Sequence, residues 1–281
     1  IFIYYRITSS SKFIPICGTF YQTEFTFLKD YLVASGQLKS VGPLFHFPRP
    51  SYPGRQEKIY DSRAGYFKIH YVTAGDSAVY QPLADSNADV VPDYVNKLAD
   101  ICDSVRFYEV DTLKYNKPPT DSGYPIGRNN GGDGRYDIYL VKLSPAFLGY
   151  AAPETAVGPS TQSYTSYIVL RNDYSDTTIY RHPLYDNVRV TFAHEFFHAI
   201  QFGYDVFEFE YLSGDPDSIR TYWQELSATW MEEVVYDYIN DYLGYMPFFY
   251  NYPWLSLRTF SVNFSRPEKV FHPYASCVWG F

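Results

Sequence analysis

Several things are scarce in this chain of 281 residues, and each scarcity removes a class of function. There is no Lys/Arg-rich run, and the net charge is −8. Such a surface repels phosphate backbones and anionic membranes, so nucleic acid is not expected as a partner. No apolar run approaches the roughly 20 residues that span a bilayer. The opening IFIYY is too short for a signal peptide and has no basic segment before it. Cysteine is limited to Cys17, Cys102 and Cys277, far apart and without C-x-x-C spacing. Neither a thiolate zinc site nor a disulfide framework follows from that spacing, and buried free thiols are the plain expectation. Repeats and low-complexity tracts are absent as well.

What is abundant is aromatic surface. Aromatics make up 20% of the chain, with 31 Tyr, and 46% of residues are hydrophobic. That suffices for one sizeable core, or for two lobes sharing a cleft. A dense aromatic core and an extracellular surface that meets peptides or sugars both fit this composition. The first residue is not Met and the chain stops within the apolar YASCVWGF, so a fragment or a processed chain is expected.

Residues 1–55 mix short apolar stretches with PRPSYPGR, which suggests an N-terminal extension and linker, followed by a domain over 56–281. Tyr66 to Thr73 alternates Phe67, Ile69 and Tyr71 against Lys68 and His70, the pattern of a half-buried strand. Val95, Leu98, Cys102 and Val105 mark a helix over Pro92 to Tyr108. A turn at Asn129 to Gly134 precedes strands at Tyr136 to Leu143 and Tyr164 to Arg171. Two helices follow. The first is expected to be capped by Asp186, to bury Val190, Phe197 and Ile200, and to end at a left-handed Gly203. The second should run from about Ser218, after Asp217, to Leu243, with Gly244 as its stop. Strands followed by helices imply an α+β domain.

The first of those helices contains TFAHEFFHAIQF, with His194, Glu195 and His198 in the order H-E-x-x-H. A shuffled chain with six histidines would contain this pattern about 0.005 times, so chance is a poor explanation. Residues four apart share a helix face, and the two imidazoles can therefore converge on one metal ion. Glu195 is turned about 100° from its neighbour, beside the metal and not on it. That placement suits a general base acting on a zinc-bound water whose pKa is lowered towards about 7. A third ligand must come from elsewhere. In WQELSATWMEE, Glu225, Thr229 and Glu232 share a face, and Glu225, Glu232 and Glu233 are the candidates.

H-E-x-x-H-A-I followed by E-L-S-A-x-x-x-E resembles the gluzincin clan of zinc peptidases, typified by thermolysin and aminopeptidase N. The resemblance covers about Asp186 to Asp241. It implies a zincin-like fold, with a strand-rich upper lobe, a helical lower lobe and the active-site helix between them. It also implies Glu225 as third zinc ligand, with Glu232 holding an imidazole tautomer from behind. More broadly, TAGDSAV, NADVVPDYV, GDGRYDIYLVKL, HEFFHAIQFGYD and ELSATWMEE are similar to an uncharacterised group of bacterial secreted metallopeptidase-like proteins, whose members tend to continue further. Secretion is expected from that likeness alone. Gln224 departs from the Asn that often precedes the third ligand, and GYDVFEFEYLSGDPD makes the interval between the helices long, which suggests a loop over the cleft.

An oxyanion donor is expected among His182, Tyr236 and Tyr242. Peptide or protein is the expected substrate, with YTSYIVLR as a sheet edge onto which it adds as a strand. Asp85, Asn87, Asp89, Val91 and Asp93 alternate in ADSNADVVPD, as oxygen ligands do in a calcium loop. Val90 in place of Gly and Asn96 in place of Glu exclude an EF-hand, and a capped turn explains the acids equally well. The rival to the peptidase is a secreted binding module for peptide or polysaccharide with a structural zinc.

Overall fold

The computed structural model describes Cys17 and residues 48–123, 129–158, 162–206, 221–261 and 265–281. It is an α+β structure: a five-stranded sheet and, among the described residues, six α-helices, three of them single turns. The strands are β1 (Lys58–Asp61), β2 (Phe67–Tyr71), β3 (Tyr136–Val141), β4 (Gly149–Ala156) and β5 (Tyr164–Arg171). Their spatial order is β1-β2-β3-β5-β4. The three central strands run parallel, while β1 and β4 pair antiparallel to their neighbours.

This order corrects the expectation that Tyr164 to Arg171 forms an edge. β5 is paired on both sides, and all eight of its residues are buried. A run rich in β-branched and aromatic residues with both faces covered is what a central strand requires. The terminal strand is β4, which sequence reading missed. Gly149, Pro153 and Glu154 depress its strand propensity, and the register shifts between Pro153 and Thr155. Proline at such a position costs no interior ladder bond.

β2 likewise departs from a half-buried strand, because Lys68 and His70 are buried along with Phe67, Ile69 and Tyr71. The second face is covered by the supposed linker. Tyr52 donates its hydroxyl to the carbonyls of His70 and Leu140. Arg49, whose side chain is only 3% exposed, grips Glu154 through two bonds of 2.8 Å, Asp121 at 2.6 Å, and Asp137. His70 bridges Asp137 and Glu57 and stacks on Tyr139. Three carboxylates around one guanidinium hold it charged against the cost of burial. Arg49→Met should therefore strand three acids in a dry place and cost about 3–5 kcal/mol. Denaturant unfolding measures it, and a loss below about 1 kcal/mol would show that water enters freely.

On the other face lie α1 (Asp93–Arg106) and α2 (Leu184–Tyr204). Val95, Leu98, Cys102 and Val105 of α1 are all fully buried, as the spacing predicts. The helix passes directly into a wider π turn at Phe107–Thr112. α2 is buried nearly all round, beyond the single stripe expected of it, since it lies between β4 and β5, α1, and α3 (Thr221–Tyr236). Phe192 and Phe196 stack together and meet Phe67 of β2 edge-on.

The boundaries of these two helices differ from expectation. α2 begins after Pro183, and Asp186 sits in its first turn paired with Arg189 at 2.6 Å. Gly203 lies inside the helix; a Cβ there would stand 3.0 Å from Pro119, so close packing explains the glycine. α3 ends at Tyr236, and the left-handed residue beyond it is Asn240 (φ 57°). Gly244 instead makes room for the Arg181 guanidinium, which a Cβ would strike. Asp217 and Ser218, and most of the expected cleft loop, lie outside the described residues.

After α3 the chain forms short turns that build a second hydrophobic cluster from Tyr245, Met246, Val270, Phe271, Tyr274 and Cys277. Cys17 belongs to this cluster. The main cluster joins the sheet, α1 and α2. No helix among the described residues is long and apolar enough to cross a membrane.

Candidate metal centre

The H-E-x-x-H face of α2 meets α3 between the two clusters. His194 Nε2 and His198 Nε2 stand 3.0 Å apart. Glu225 places one carboxylate oxygen 3.2 Å from His194 Nε2 and the other 3.6 Å from His198 Nε2. His198 and Glu225 are wholly buried, and His194 nearly so.

The far side of each ring explains its orientation. His198 Nδ1 lies 2.7 Å from Gln201 Oε1, and the Gln201 amide nitrogen donates to Ser227 Oγ and the Gln224 carbonyl. The amide is thereby oriented with its oxygen towards the ring, so His198 carries its proton on Nδ1 and turns a lone pair inward. His194 Nδ1 lies 2.7 Å from Glu232 Oε1, and a carboxylate there takes the ring N–H. Two ring nitrogens and a carboxylate thus face one another in a dry space, an arrangement that favours a cation among them, whether a proton on His194 or a metal ion. The donor spacings suit zinc: bonds of about 2.0–2.1 Å in a tetrahedron set nitrogens about 3.3 Å apart.

The electrostatics give the same sign. Burial opposes charge on His194, yet Cys17, Glu225 and Glu232 raise its pKa well above the ordinary histidine value. Burial would raise Glu225, but the two histidines bring it down to about 2. Glu232 is pushed up to about 8, chiefly by burial. Among the described residues, only one group of His, Cys, Asp and Glu can converge three or more donors on an ion: Cys17, His194, His198 and Glu225, all within 4.8 Å of one another.

Glu195 stands outside that donor group, with Oε2 3.3 Å from the Cys17 thiol. The histidines, Glu225 and the flanking Glu195 and Glu232 are therefore assembled where sequence reading places them, and Glu232 takes Nδ1 of His194 and leaves the inward face to Glu225. The oxyanion candidates are not assembled there. His182 is held 2.7 Å from Asp241, Tyr236 packs into the main core, and Tyr242 lies against Phe281. A cavity of only about 10 Å³ beside the histidines is lined instead by Glu195, Tyr245 and Tyr274 among others. Tyr274 stacks on His194, and Asp241 gathers Arg181 and His182. Cys17, Gln201, Asp241, Tyr245 and Tyr274 were missed by sequence reading. Only Gln201 left a signal, three residues after His198 on one helix.

The acidic loop, for which a calcium site and a capped turn are equal expectations, is closed upon itself. Asp85 accepts the amides of Asp89 and Val90, Asp89 that of Val91, and Asp93 that of Ser86. Those are the bonds of a capped turn ahead of α1, and Ala88 and Val90 both take positive φ within it. A cavity of about 450 Å³ lies by Tyr66, Arg106 and Arg135 and shares no residue with the group of Cys17, His194, His198 and Glu225.

No protein-family model, curated protein or solved structure matches the chain.

Proposed function

We propose that this protein is a zinc-dependent peptidase of gluzincin type, with a zincin-like arrangement in which the sheet forms one lobe and the C-terminal turns the other. The observation that carries this reading is the convergence of His194 Nε2, His198 Nε2 and Glu225 with their outer ring nitrogens already committed to Glu232 and Gln201. Zinc held there would polarise a scissile carbonyl and make water acidic enough to lose its proton near neutrality. Glu195 is the chain's own base: it reaches the space beside the donors without joining them, so it can take a proton from water and return it to the leaving amine. Tyr245 and Tyr274 line the small cavity beside His194 and are the phenols we assign to a developing oxyanion. Peptide or protein is the substrate class, and secretion accompanies the same reading.

A second reading has one observation in its favour. With Cys17 the donor set numbers four, which is how structural zinc sites are closed. The binding-module alternative follows if the site never opens. The deciding experiment is digestion of a mixed peptide library by zinc-loaded protein, with and without chelator, using both the unaltered chain and Cys17→Ser. Chelator-sensitive cleavage supports the peptidase. Silence from both proteins with zinc in place would hand the site to the structural reading.

Zinc content should approach one ion per chain and decline with acid. Both rings must be unprotonated at the metal-facing nitrogen, and His194 holds its proton to well above the ordinary histidine range, so protons compete with zinc already above that range and increasingly as pH falls. Full occupancy in strong acid, measured by metal analysis after equilibrium dialysis, would argue against histidine ligation.

A further inference from the structure

We propose that Cys17 is a fourth protein ligand to the metal, and that its thiolate holds the position a substrate-activating water would otherwise take. The inference rests on the proposed zinc site. Cys17 is distant from that site in sequence, yet its sulfur lies with the Nε2 atoms of both histidines and the Glu225 carboxylate inside one 4.8 Å group. It is buried at 4% exposure, seated in the cluster of Tyr245, Tyr274 and Cys277 that closes the site from the C-terminal side. Its sulfur also stands 3.3 Å from Glu195 Oε2.

Two features make this more than a buried thiol near a metal site. One is steric. With Cys17 in place the cavity beside the histidines is only about 10 Å³, which is scarcely one water and no substrate. The other is the engagement of Glu195, whose carboxylate accepts from the very group that fills the open position. A side chain that completes the tetrahedron and leaves its proton on the base is an inhibitor built into the chain.

The ligation balances simply. The Cys17 S–H bond breaks, Glu195 takes the proton and holds it as an O–H turned to the sulfur 3.3 Å away, and a sulfur–metal bond would replace a water–metal bond with release of the water. A metal ion makes this favourable because a coordinated thiol is deprotonated outright. Opening is the reverse exchange, water for thiolate, and needs no oxidant. Chemical capping of its sulfur would release it.

The test uses the full chain with cobalt(II) in place of zinc, because a thiolate on cobalt gives a sulfur-to-metal charge-transfer band in the near ultraviolet. The unaltered protein should show that band, and Cys17→Ser should lose it while keeping stoichiometric cobalt and its visible ligand-field bands. Zinc-loaded Cys17→Ser should also hydrolyse peptides faster than the unaltered chain. Stoichiometric cobalt without the band would overturn the inference and leave the His-His-Glu site standing. Equal peptidase rates in the two proteins would overturn the inhibitory role. A band that is present while neither protein cleaves anything would keep Cys17 as ligand and defeat the peptidase reading instead. Failure to bind cobalt at all sinks both. Should Cys17→Ser misfold, the spectrum of the unaltered chain still decides ligation, and alkylation of the folded, metal-loaded protein supplies the activity comparison.

Discussion

Glu195→Gln, made in the chain that also carries Cys17→Ser, should retain its zinc and lose peptide hydrolysis by a factor of about 10² to 10⁴. The substitution preserves side-chain shape and removes basicity. Retention of metal is expected because Glu195 contributes no donor to the group formed by Cys17, His194, His198 and Glu225. Loss of rate is expected because the other described carboxylates near it are engaged: Glu232 behind His194, Glu225 facing both imidazoles, and Asp241 with Arg181 and His182. The measurement is paired, metal content beside initial rates on one peptide. Loss of zinc together with activity would make Glu195 structural, and full activity in the variant would move the base elsewhere.

Glu225→Ala should abolish stoichiometric zinc, as should His194→Ala and His198→Ala. Glu232→Ala should weaken binding only by about 10- to 100-fold, the usual effect of removing a group that orients a ligand. The contrast follows from position on α3. The two carboxylates lie seven residues apart on one helix face, so both reach α2, but Glu225 meets the inward nitrogens and Glu232 meets Nδ1 of His194 at 2.7 Å. Competition titration against a chelator of known affinity separates the two effects. Full zinc in Glu225→Ala with none in Glu232→Ala would reverse the assignment.

How far the sequence carried these conclusions depended on the range of the interactions. His194, Glu195 and His198 were legible because one helical turn fixes their geometry, and Glu225 and Glu232 because a second helix repeats that logic. The buried stripe of α1 was legible for the same reason. Sheet order was not, because β5 and β4 differ in what lies beside them and local pattern says nothing of neighbours. Pro153 and Glu154 hid a strand whose Glu154 is needed to grip Arg49. Arg49 in turn sits among prolines, which signalled a linker where the chain is in fact clamped to the sheet. Cys17 was illegible for a plainer reason: its relation to Glu195 spans a separation of 178 residues and is made only by tertiary packing.

That separation bears on when the centre can exist during the life of the chain. α2 alone offers an ion two imidazoles on one turn of helix, a weak bidentate hold. Glu225 arrives with α3, and the enclosing Tyr245, Phe271 and Tyr274 come last in the order of synthesis. Cys17, made first, reaches its place only when that final cluster has closed around it. On the proposed metal reading, the residue made first is thus the last to be seated: His194, His198 and Glu225 can come together before their cover does, and the centre is closed only as folding finishes.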